Sequence, residues 1–229
     1  MSRPSGGFDA SRYFRGADDL GFYNVGTTAM RGLARSIVER HPDWTLGDAM
    51  AFAGMLIMDR HLEAKSIGIE AVARFHRGFT PPLLTQWKRW LAQNHSANWA
   101  TTDAICGQLV GPLLVRHPAA AARLRPWARH RNLWVRRASI VGLIALARRG
   151  LALDQLYGAA RILHPDRADL IHKAVGWALR EAGKTDPPRL ERYLLANGPR
   201  IPRTTLRYAI ERFPPSTRRR LMRETRDRG

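Results

Sequence analysis

The stretch "NWATTDAICG", residues 98–107, sets Trp99 and Asp103 four positions apart. On a helix that spacing brings the two Cβ atoms to about 6 Å of each other on one face. The next turn offers only Cys106 and Gly107, which leaves open space beside the carboxylate. An indole next to a carboxylate can stabilise a cation, or a sugar carbon that turns positive as its bond breaks. The same pair also fits a capping or ion-paired Asp beside a core Trp. In "NLWVRRASIV", Trp134 and Arg137 share a helix face and Arg136 turns away. A guanidinium in that position can take a phosphate through two parallel hydrogen bonds without reading base sequence, although a solvated arginine fits as well. In "IHKAVGWALREAGK", Ala174, Val175, Ala178, Leu179 and Ala182 form an apolar side, and Lys173, Trp177, Arg180 and Lys184 form the other. A tryptophan on the charged side suits a planar or apolar ligand such as a sugar or base, or packing against the next repeat. The eight histidines are scattered and no Cys/His pairing has zinc spacing, so no metal and no cofactor is expected.

These side chains need helices to present them. Nearly every segment between turn signals has the spacing of an amphipathic helix, and none shows sustained strand-like alternation. The pattern predicts helices over residues 28–40, 45–59, 63–76, 81–93, 98–115, 118–128, 131–149, 153–163, 166–183, 187–196, 203–212 and 215–225. Pro and Gly mark the stops, as in "HPDWT", "TPPLL", "RHPAA" and "TDPPR". Stacking "EAKSIGI", "ATTDAIC", "VRRASIV", "IHKAVGW" and "TLRYAI" puts Lys65, Thr102, Arg137, Lys173 and Arg207 in register, with steps of 37, 35, 36 and 34 residues. That period means two short helices per unit, as in HEAT-like arrays. The expected fold is therefore all-α: a right-handed superhelical solenoid of antiparallel helix pairs with a basic concave face. One domain over 1–229 is expected, with amino-terminal helices at about 9–60, a repeat core at about 61–213 and a basic tail at 214–229.

The chain carries 38 Lys+Arg against 19 Asp+Glu, a formal charge of +19. Such an excess favours a polyanion, because binding releases the counterions condensed on phosphates. The longest apolar runs, "AMAFAGMLIM" and "ASIVGLIALA", fall short of the ~20 residues that cross a bilayer. The start lacks the apolar core of a secretory signal, and the single cysteine, Cys106, has no internal partner for a disulfide. A cytoplasmic, nucleoid-associated monomer is expected.

"WATTDAI", "LWVRRASI" and "KAVGWALREAGKTDP" resemble the signature segments of the AlkD-type DNA alkylation-repair glycosylases, which are built from HEAT-like repeats. "TTLRYAIERF" and the earlier "YFRG", "FYNV" and "MR" also resemble family positions, so the likeness runs from about Tyr13 to Phe213 and is strongest from Trp99 to Lys184. The resemblance implies that Asp103 is the catalytic aspartate, that Trp99 and Trp177 face the sugar, that Arg137 binds phosphate and that Arg180 contacts DNA. Lys173, Trp134, Lys184 and Arg207 extend the expected DNA-binding set, with Tyr23 and Arg31 as further candidates. Some relatives carry a second aromatic where this chain has Asn98. The implied substrate is double-stranded DNA containing cationic alkylpurines such as 3-methyladenine and 7-methylguanine, cleaved at the N-glycosidic bond with the lesion still stacked. A non-catalytic HEAT-like nucleic-acid-binding protein would account for the charge and the repeats, but not for an acid among the DNA-binding groups. A solenoid that docks acidic protein partners would leave the tryptophans without a ligand.

Overall fold

The computed structural model describes Phe14 and residues 20–226. Within that range the protein is all-helical, and the β-type pairing is one isolated bridge between Gly21 and His61. The expected amino-terminal segment at 9–19 lies, apart from Phe14, outside the described residues. The chain divides into two compact units, Met1–Leu113 and Leu114–Gly229.

The first unit contains α1 (Thr27–Glu39), α2 (Leu46–Leu56), α3 (Leu62–Ala73), α4 (Leu83–Ala92) and α5 (Trp99–Ala104). A π-helical turn, Ile105–Val110, follows α5 and leads into α6 (Gly111–Arg116). Helix α3 packs on α1 and α2 and against the π turn. Ile69, Trp87, Leu91, Ile105 and Leu109 are fully buried in this unit. Helix α2 starts on a capping box in which the Thr45 and Asp48 side chains each satisfy the other's backbone N–H. Ahead of α1, the N–H groups of Tyr23 and Val25 donate to the Glu63 carboxylate at 3.0 and 3.2 Å, which fastens that segment to α3.

The second unit contains a 3-10 segment (Pro118–Arg129), α7 (Leu133–Val141), α8 (Ile144–Ala147), α9 (Leu153–Leu163), α10 (Asp169–Gly183), α11 (Pro187–Asn197), α12 (Arg203–Ala209) and α13 (Pro215–Glu224). Here α10 is central, packed against α7, α9, α11 and α12. The close approach of α10 to α12 depends on Gly176. A Cβ there would sit 2.4 Å from Cβ of Tyr208 and 2.7 Å from the Thr205 carbonyl oxygen.

The helix pattern read from the sequence holds within a few residues at most boundaries. Three segments differ. The expected helix over 98–115 passes through the π turn Ile105–Val110. The expected helix over 118–128 is wound as a 3-10 segment containing Pro126, whose missing N–H weakens α-helical pairing. The expected helix over 131–149 breaks between Val141 and Ile144 into α7 and α8.

Candidate functional site

Asn98 caps α5, the helix that carries Trp99 and Asp103. Its Oδ1 accepts from the Thr101 N–H at 2.8 Å, and its Nδ2 donates to the Ser96 carbonyl at 2.7 Å and to Thr101 Oγ1 at 2.9 Å. Asn98 is 2% exposed, so the cap is shielded from competing water. The loop before it holds Asn94 and Ala97 at φ values of 60° and 55°, the left-handed region that L-residues with a Cβ occupy at a cost. Backbone strain and a buried cap thus set the entry of α5. Trp99 and Asp103 are both half-buried, Thr101 and Thr102 are buried, and Gly107 is exposed. A Cβ at Gly107 would meet nothing within 4 Å, in keeping with the open space expected one turn past the carboxylate. The π turn begins two residues after Asp103 and widens the helix there, a feature that recurs at functional sites.

One face of the Trp99 indole is covered. Phe14 stacks on it with centroids 5.2 Å apart and planes at 12°, and Phe14 in turn lies 5.4 Å from Phe22. The sequence reading placed "YFRG" and "FYNV" among family positions but gave Phe14 no role. Its contact joins residues 85 apart, beyond the reach of any helical spacing rule.

In the second unit, Lys173, Trp177 and Arg180 are half-buried and Lys184 is exposed on α10, and the opposite side (Ala174, Val175, Ala178, Leu179, Ala182) is buried. This is the division expected from the sequence. Intramolecular carboxylates meet several of these cations. Lys173 Nζ lies 2.8 Å from Asp169, and that hydrogen bond with its charge raises the Lys173 pKa. Lys184 Nζ and Arg148 Nε each lie 2.8 Å from Glu181, which is 2% exposed. Burial pushes the Glu181 carboxyl up, but the hydrogen bonds from Lys184 and Arg148 outweigh it and hold the group below the usual glutamate value. Arg180 pairs with Glu211 on the turn after α12. None of these acids figured in the sequence reading. Asp169 could have been found from its i,i+4 spacing to Lys173, whereas Glu181 and Glu211 look like ordinary surface acids until the helices pack.

The residues in repeat register are used in two ways. Lys65, Thr102 and Arg137 are buried at 4%, 0% and 5% exposure, and Lys173 and Arg207 reach the surface. The buried members bind backbone carbonyls. Lys65 Nζ donates to Ile57 at 2.7 Å and to His95 at 2.6 Å, just past the ends of α2 and α4, where helices leave carbonyls unpaired. Burial lowers the Lys65 pKa, partly offset by Asp59. Arg137 donates from one terminal nitrogen to the Leu170 carbonyl at 2.5 Å, tying α7 to the first turn of α10. Thr205 Oγ1 repeats the motif by donating to the His172 carbonyl at 3.0 Å. Trp134 is half-buried on α7, and Arg136 bonds Asp166 at 2.6 Å and the carbonyls of His130 and Arg131. Among the remaining candidates, Tyr23 is exposed and stacks on His61, and Arg31 pairs with Glu70 at 3.0 Å.

The family profile described as DNA alkylation repair enzyme matches residues 5–213, nearly the whole chain. The chain belongs to the DNA alkylation repair enzyme family. One solved structure, a predicted DNA alkylation repair enzyme from Enterococcus faecalis, superposes with a TM-score of 0.77 at 16% identity, over 90% of this chain and 93% of that one. At that identity the likeness speaks for the fold. No curated protein matches the sequence significantly. Membership in the DNA alkylation repair family supplies the reason for the charge: its substrate is DNA, and a chain of +19 suits a polyanion. Among the described residues no group of His, Cys, Asp and Glu could hold a metal ion, and no helix is long and apolar enough to cross a membrane.

Proposed function

We propose that the chain is a DNA glycosylase that hydrolyses the N-glycosidic bond of cationic alkylpurines, 3-methyladenine and 7-methylguanine, in double-stranded DNA. The observation that carries this reading is Asp103. A half-buried carboxylate, one turn from Trp99 and one turn before the open position at Gly107, stands in a strongly basic chain of an alkylation-repair family. In this reading the charge that the carboxylate serves in catalysis is that of the deoxyribose. As the C1′–N bond breaks, its electron pair leaves with the base and the sugar becomes oxocarbenium-like, which a fixed carboxylate stabilises. The alkylated base starts cationic and departs neutral, so no general acid is needed. Water then bonds to C1′ and gives up a proton, with Asp103 orienting it and accepting that proton. Trp99, stacked on Phe14, and Trp177 present π-electron density to the developing charge.

Lys173, Trp134, Arg137, Arg180, Lys184 and Arg207 hold the phosphate backbone in this reading, and the lesion stays stacked. Selectivity then comes from the lesion's own charge and weakened bond, so neutral lesions are poor substrates. The protein works as a monomer in the cytoplasm, on nucleoid DNA, without metal or cofactor. The deciding experiment compares Asp103→Asn with the wild type on methylated duplex DNA. Release of 7-methylguanine falls on the order of 100-fold or more, and affinity for undamaged duplex stays within a factor of two. Equal release by both proteins, or DNA binding without release by the wild type, replaces this reading with a non-catalytic HEAT-like nucleic-acid-binding protein.

A further inference from the structure

The second unit holds a groove of about 1040 Å³ between the 3-10 segment and α9, and none of its lining residues figures in the repair site. Its walls are built from small side chains: Ala121, Ala122 and Ala128 on one side and Gly158 on the other. A Cβ at Gly158 would meet nothing within 4 Å, so the α9 backbone is open to close approach. Ala122, Ile162 and Pro165 supply the accessible apolar part of its lining, and Leu143 lies buried beneath.

The charges have a definite arrangement. Two acids line the groove, and both are neutralised from within the protein: Asp166 by Arg136 at 2.6 Å and Asp154 by Arg189. Three lining arginines, Arg125 and Arg129 on the 3-10 segment and Arg161 on α9, are exposed and make no side-chain hydrogen bond or salt bridge with the described residues. The groove thus combines apolar surface with cations on both walls that have no partner among the described residues. A bare phosphodiester would match the cations but leave the apolar lining against its charges. A protein segment with apolar side chains pointing down and carboxylates pointing up satisfies both. Helix α9, at 11 residues, is about 16 Å long and so spans roughly three turns of such a segment.

We propose that this groove docks an acidic amphipathic segment of a partner protein. The probe is a fluorescein-labelled peptide of about four helical turns, with leucines at i, i+3, i+4 and i+7 spacing and glutamates elsewhere, titrated into the full-length protein by anisotropy. The double variant Arg125→Glu/Arg161→Glu weakens binding at least tenfold. Arg218→Glu/Arg219→Glu on α13, which makes the same change in net charge, alters it less than twofold. Gly158→Phe, which fills the trough, also abolishes binding, with circular dichroism reporting on its fold. All three proteins release 7-methylguanine as the wild type does. Equal losses in the two charge-reversed variants, or equal binding of a peptide with its leucines replaced by serine, overturn the proposal by reducing the effect to overall charge. Loss of duplex DNA affinity confined to the groove variants overturns it in favour of a nucleic-acid surface.

Discussion

At the scale of single residues, packing changes what an arginine is for. Arg137 reads from sequence as a phosphate clamp, yet its side chain is buried and one terminal nitrogen is committed to the Leu170 carbonyl. Arg137→Ala should therefore lower folding stability by about 1.5–3 kcal/mol, the range for a hydrogen bond from a charged group, as well as weaken DNA binding. Urea titration and duplex affinity measured on the same variant separate the two effects, and a loss of affinity at unchanged stability would remove the structural role. Arg180 is in the opposite position, because its partner Glu211 is exposed and replaceable by a phosphate. On the proposed function, Glu211→Gln releases Arg180 from this partner, leaving Glu181 at 3.7 Å, and tightens duplex binding up to about fivefold, corresponding to the roughly 0.2–1 kcal/mol of an exposed ion pair. Unchanged affinity at low salt would mean that Arg180 does not meet DNA.

At the scale of elements, the short helix α5 is held by what precedes it. Six residues cannot sustain a helix unaided. The Asn98 cap, the left-handed Ala97 and the π turn that follows fix its start and its pitch. Asn98→Ala should cost about 0.5–2 kcal/mol of stability and, on the proposed function, lower kcat for base release with KM little changed, because Trp99 and Asp103 lose their fixed entry and the proposed phosphate contacts lie on other elements. Asn98→Asp should restore only part of each, since aspartate accepts the same N–H but cannot donate to the Ser96 carbonyl and sets a buried carboxylate oxygen against it. If kcat in Asn98→Ala matches the wild type, the cap does not position the site.

At the scale of the molecule, the core admits Lys65, Arg137 and Glu181 where hydrogen bonds meet their charges, and elsewhere burial favours the neutral form. His164 is 5% exposed, with Nε2 2.6 Å from the Tyr193 hydroxyl. Burial, reinforced by Arg161 and His172, pushes its pKa from 6.5 down to about 4. The folded protein therefore binds fewer protons than the unfolded chain between these values. The stability tied to this neutral imidazole is complete above about pH 6.5 and is lost as pH falls toward 4. Its size is about 3 kcal/mol. Urea unfolding followed across that window should show the loss in the wild type, and His164→Leu should show a shallower acid limb. Equal slopes would mean that His164 protonates without cost.

Much of this protein is local information. The apolar spacing on α10, the Pro and Gly stops and the repeat period depend on neighbours within a turn or a unit, so the sequence alone determined the all-helical fold, the two faces of α10 and the adjacency of Trp99 and Asp103. The family's signature segments are contiguous and legible for the same reason. The contacts that decide charge are not local. Glu211 reaches Arg180, Phe14 covers Trp99, and Lys65 and Arg137 sink onto carbonyls some thirty residues away. A cation's sign is written in its residue type, but whether it meets solvent, a carboxylate or a helix end depends on which element packs over it, and only the tertiary structure decided that.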